Sequence, residues 1–137
     1  MIFLFMASLF SSAFALAPNF SAEHKFELKK DEWGVIRFTD LTNQKVEEFS
    51  FRWTLYDWTN LSLQSFYRLY PRQHVLSLRI GGRTFLQVLR PPTKYPPSDE
   101  VKLMISFTGF SAGVASFHAG VLDAAGRMSA EFIDPKR

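Results

Sequence analysis

Residues Glu48 to Asp57 alternate so regularly that only a strand accommodates them. Phe49, Phe51, Trp53 and Leu55 share one face, and Glu48, Ser50, Arg52, Thr54 and Tyr56 share the other. Four apolar residues in register, with mostly polar alternates, describe a strand packed on one side and wet on the other. Val101, Leu103, Ile105 and Phe107 repeat the pattern against Lys102, Met104, Ser106 and Thr108, and Phe26 and Leu28 do so briefly. No stretch after Pro18 holds a 3.6-residue period over three turns, so the pattern predicts an all-β chain.

Turn residues divide these runs into about nine strands: Lys29-Lys30-Asp31-Glu32, Asp40 to Lys45, Asp57-Trp58-Thr59-Asn60 and Asp123 to Arg127. Such spacing predicts one antiparallel β-sandwich or barrel-like domain. Leu61 to Tyr70 reads as a single strand ended by Pro71, which has no N–H for a ladder. Leu61, Phe66 and Leu69 would also suit a short helix. Gly81-Gly82 tolerates the positive φ angles of a two-residue hairpin turn. That turn pairs Ile80 with Arg83, Leu78 with Phe85 and Ser77 with Leu86, giving two partly apolar faces. A strand pair of that kind is expected in the centre of a sandwich. Pro91 to Glu100 holds four of the seven prolines and reads as a stiff, exposed connection between sheets that presents Tyr95.

The N-terminal segment differs in kind. No charged side chain occurs from Met1 to Ala22, and an apolar run is followed by Ala13-Phe14-Ala15. This resembles a secretory signal peptide with an A-x-A cleavage site, although Lys or Arg is missing ahead of the run. Cleavage is expected after Ala15, because a cut after Ala17 would place Pro18 next to the scissile bond. Residues 1–15 are then a signal and 16–137 a single β domain. Retention as an anchor is the alternative, but Ile2 to Ala17 falls short of the roughly 20 residues that span a bilayer as a helix. The expected location is the periplasm or the medium around a bacterial cell, with transient membrane contact through this segment.

Composition narrows the chemistry. Cysteine is absent, which excludes disulfides, thiolate metal sites and cysteine nucleophiles. His24, His74 and His118 form no metal-ligand spacing, and no cofactor is expected. Gly109-Phe110-Ser111-Ala112-Gly113 spells G-x-S-x-G, but a nucleophile elbow needs a strand-to-helix turn and another strand is predicted to follow. No facing carboxylate pair or phosphate-cradling glycine loop is visible, so the chain reads as non-catalytic.

Charge is the remaining signal. From Arg52 to Lys94 there are seven basic residues against the single acid Asp57, between mildly acidic flanks. Arginine suits planar contact with carboxylate or phosphate, and tyrosine supplies rigid surface with a polar tip. The candidate ligand-binding residues are therefore Phe66, Tyr67, Arg68, Tyr70, Arg72 and His74, with Arg79 and Arg83 nearby. Phe66, Arg68 and Tyr70 share strand parity and predict a face of ring, cation, ring. The arginines are expected to be exposed and unpaired by acids. The opposing expectation is a structural ladder in which Arg68 stacks between the rings to cover a sheet edge. The partner expected is an envelope protein or an anionic surface component, not nucleic acid. A structural subunit joined through a strand edge or the proline-rich loop is the alternative, and a small hydrolase is a weaker third.

Overall fold

The structure is a computed structural model and describes residues 19–137. The expected signal and its cleavage site lie outside the described residues. Nine strands form: β1 (Ala22–Lys29), β2 (Gly34–Asp40), β3 (Val46–Tyr56), β4 (Leu61–Tyr67), β5 (Tyr70–Leu76), β6 (Thr84–Arg90), β7 (Val101–Ser111), β8 (Val114–Leu122) and β9 (Met128–Ile133). They make a four-stranded sheet in the order β1-β8-β7-β6 and a five-stranded sheet in the order β5-β4-β3-β2-β9. Every pairing is antiparallel, and the two sheets pack together as a sandwich. The chain is thus two meanders, β2 to β5 and β6 to β8. Each meander is extended by a terminal strand: β9 joins β2, and β1 joins β8.

Alternation explains the core. Phe26 and Leu28, Ile36 and Phe38, Phe49 and Phe51, and Leu103, Ile105 and Phe107 all point inward and are fully buried. Burying each side chain contributes roughly 1.5–3 kcal/mol relative to exposure. Trp53 is also buried, and its indole N–H donates to the Leu28 carbonyl at 2.8 Å, which satisfies the one polar atom of the ring. Gly34 fits because a Cβ there would meet the Phe51 ring at 2.8 Å.

Five sequence expectations need correction. Leu55 is 57 % exposed, because a bulge between Trp53 and Leu55 reverses the inward parity. Tyr56 turns toward the core in its place and stacks on Phe110 at 4.0 Å. Pro71 does not end the preceding strand. That strand stops at Tyr67, and Arg68 and Leu69 form a tight turn with φ of 52° and 67°. Pro71 then lies within β5, an edge strand, where a missing N–H is tolerated.

The Gly81-Gly82 hairpin does not form. β5 pairs with β4 and β6 pairs with β7, so residues 77–83 cross from one sheet to the other. The crossing is closed by Ser77 N–H donating to the Gly82 carbonyl at 2.8 Å, with Gly81 at φ 87°. Both strands are edges, and neither is central. The proline-rich segment likewise joins β6 to β7 within one sheet.

Candidate binding surface

Because β5 and β6 end their respective sheets and follow one another in sequence, the two edges lie on the same side of the sandwich. His74 of β5 stacks on Phe85 of β6 with centroids 3.7 Å apart, and Arg72 donates to the Gln87 side chain at 3.2 Å. This side also concentrates exposed apolar surface. Leu69, Tyr70, Val75, Ile80, Leu86 and Val88 are six of the eleven exposed large apolar residues among those described. Leu69 and Ile80 are each 97 % exposed.

The charge on this side is of one sign. Residues 58–98 contain no Asp or Glu. Arg68 and Arg90 nonetheless find acids from elsewhere. Arg90 is buried at the end of β6, donating to Asp40 at 2.9 Å, to Glu47 at 3.0 Å and to the Tyr67 hydroxyl at 3.2 Å. Arg68 donates to Glu47 at 3.0 Å, and the Tyr67 hydroxyl donates to Glu47 at 2.5 Å. Burial opposes ionisation of Glu47, but hydrogen bonds from Arg90, Tyr67 and Arg68 outweigh it and hold its carboxyl at about 2. Tyr67 is pushed up to about 12, first by burial and then by the Glu47 carboxylate. Among the described residues, no buried side-chain polar atom lacks a partner. The cluster is a clamp between the sheets whose buried polar atoms are all taken up within it.

Arg72, Arg79 and Arg83 are different. All three are exposed, and among the described residues no acid lies within ion-pair distance of them. Arg83 is held by its Leu78 carbonyl contact at 2.6 Å, and an open depression beside it is lined by Ile80, Gly81 and Thr84.

The eight residues singled out from sequence are therefore divided. Arg72, His74, Arg79 and Arg83 come together on the β5–β6 side, with Tyr70 exposed at its margin. Phe66 lies on the opposite, outer face of the five-stranded sheet against Trp33, at 5.5 Å, and Tyr67 is buried. Arg68 occupies the turn and is paired with an acid. The expected ring-cation-ring face does not form, because the turn at Arg68 and Leu69 breaks the parity between Phe66 and Tyr70. The β6 contribution, Leu86 and Val88, was missed because the glycine pair reads as a hairpin. Glu47 carries no sequence signal of its role.

Two arrangements resemble catalytic parts. Ser65 Oγ and His74 Nε2 share a hydrogen bond of 2.9 Å. Ser65 is only 1 % exposed, which leaves no path for a substrate carbonyl, and no carboxylate orients the ring among the described residues. Burial first, and the Arg72 charge second, lower the His74 pKa to about 4. The G-x-S-x-G letters span a turn between β7 and β8, with Ala112 at φ 52° and Gly113 at φ 79°, and a strand follows. Among the described residues, no group of three potential ligands is placed to hold a metal ion.

No protein-family model, characterised protein or solved structure matches this chain.

Proposed function

We propose that this chain is an exported, non-catalytic β domain that binds a partner protein or an anionic envelope component through its β5–β6 side. The observation that carries this reading is the set Arg72, Arg79 and Arg83, exposed beside Leu86, Val88 and Ile80 and without an acidic partner among the described residues. Three uncompensated guanidinium groups repel one another and favour an approaching anion. The apolar residues between them supply area that a purely ionic contact lacks. The leader-like segment Met1–Ala15 supports export.

A photo-crosslinking residue placed at Arg79, at Val88, and at Lys29 on β1 as a control tests this reading in the native envelope. Adducts from positions 79 and 88 that weaken with salt, with none from position 29, are expected. Equal labelling from all three positions would dismiss a localised surface.

A further inference from the structure

The sandwich has four edge strands, and three of them are guarded. β1 alternates exposed Glu23, Lys25, Glu27 and Lys29 along its length. β9 carries exposed Glu131 and faces β1, where His24 stacks on Phe132 at 5.1 Å and bonds Asp134 at 3.0 Å. β5 holds Pro71 and Arg72. Charges, proline and covering contacts are the usual means by which a sheet edge is kept from pairing with another chain. β6 lacks them. From Thr84 to Leu89 it has no charge and no proline, and Leu86 and Val88 are 44 % and 45 % exposed on its outer face. A bulge between Val88 and Arg90 closes the upper end, leaving Thr84–Val88 as the ladder, in which the Val88 carbonyl already accepts from the Gln87 side chain at 3.1 Å.

We infer that the β6 edge receives an extended segment of another protein, which adds as a fifth strand beside β7-β6. The inference rests on the proposed binding role of this side and names its partner. Backbone hydrogen bonds to Thr84–Val88 supply affinity that is indifferent to sequence. Leu86 and Val88 select apolar residues at alternating positions of the incoming strand. Arg72, Arg79 and Arg83 surround this edge and select acids flanking the apolar positions. The same three cations oppose a second copy of the chain, since pairing β6 to β6 would add three more guanidinium groups along one edge and no acid. The occupant is therefore a foreign segment that alternates apolar residues between Asp or Glu.

A phage library of random twelve-residue peptides, selected on the immobilised full chain, tests this directly. The selected peptides are expected to alternate apolar residues between acids. A synthetic peptide of the selected sequence is expected to slow hydrogen exchange at residues 84–88 of the unaltered chain. The Leu86→Lys, Val88→Lys variant should lower its affinity by about tenfold, equivalent to roughly 1.4 kcal/mol. Exchange protection on the unaltered chain decides the matter even if that variant folds poorly. Peptides that protect residues 70–83 and leave 84–88 unchanged would overturn edge addition while sparing the cationic surface. Failure to select any acidic peptide would overturn both. A dimer in sedimentation, with 84–88 protected before peptide is added, would overturn the foreign occupant in favour of a second copy.

Discussion

Arg90 at the end of β6 donates to the Asp40 carboxylate at the end of β2 at a distance of 2.9 Å, joining one sheet to the other. The same guanidinium holds Glu47, which in turn holds Arg68 at the β4–β5 turn. The clamp thereby fixes the end of β6 against the start of β5. Removing the cation leaves buried Asp40 and half-buried Glu47 without their main counter-charge. Arg90→Leu is expected to destabilise the fold by about 3 kcal/mol in urea unfolding. Arg90→Lys should recover only part of the loss, because one ammonium cannot reproduce the fork that spans two carboxylates. Full recovery by lysine would show that charge alone matters.

Stability should fall on acidification in two overlapping stages. His74 has an ordinary value of 6.5 when unfolded and about 4 when folded. Between those values the unfolded chain holds more protons, so lowering the pH from 6.5 towards 4 favours unfolding. Glu47 has the same sign, with its contribution lost from its ordinary 4.5 down to about 2. Above pH 6.5 both contributions are fully present. Denaturant midpoints measured across this range should decline throughout, and His74→Phe should flatten the portion above pH 4.5. A midpoint that rises between pH 6.5 and pH 4.5 would contradict the half-buried, neutral imidazole.

Trp53 and Leu55 are two residues apart in one strand and should respond oppositely. Trp53→Ala removes a buried ring and is expected to cost about 3–5 kcal/mol. Leu55→Thr, on the far side of the bulge, should change stability by no more than about 0.5 kcal/mol. Thermal melting of both variants checks the pair.

These two residues also mark where the sequence stops being legible. Period-two alternation located the strands, their inward residues from Phe26 to Phe107 and the all-β class, because burial on one face imposes that period. It carried no sign of the bulge, since one inserted residue changes parity without changing composition. The Gly81-Gly82 pair reads as a hairpin, yet the same backbone freedom serves a crossing between sheets. Its surroundings decide between them: Leu76 pairs with Leu61, and Phe85 pairs with Ile105. The three arginines of the candidate surface, Arg72, Arg79 and Arg83, were recognisable from local charge. Their separation from Arg68 and Arg90 was not, since Glu47 and Asp40 reach those two from more than 20 residues away.

The Arg68-Leu69 turn holds two branched or bulky residues at positive φ, where Asn-Gly is the ordinary choice. Leu69 there makes little contact, being almost wholly exposed. Leu69→Gly is expected to raise stability by about 0.5–1 kcal/mol by relieving the left-handed backbone, partly offset by glycine's greater unfolded-state freedom. Calorimetric melting that shows a loss would mean that the Leu69 side chain supports the fold.

The central claim is that Arg72, Arg79 and Arg83 act as a localised recognition surface. Its most direct test is retention on native envelope preparations as salt rises from about 0.1 M to 1 M, where the Debye length shrinks from roughly 10 Å to 3 Å. The unaltered chain is compared with Arg72→Ala, Arg79→Ala, Arg83→Ala and with Lys25→Ala, Lys29→Ala, Lys30→Ala, which removes equal charge elsewhere. The unaltered chain and the lysine variant should be retained at low salt and released together at high salt, while the arginine variant is unretained and melts normally. Equal loss from both variants, or from neither, would contradict a surface built on the β5–β6 side.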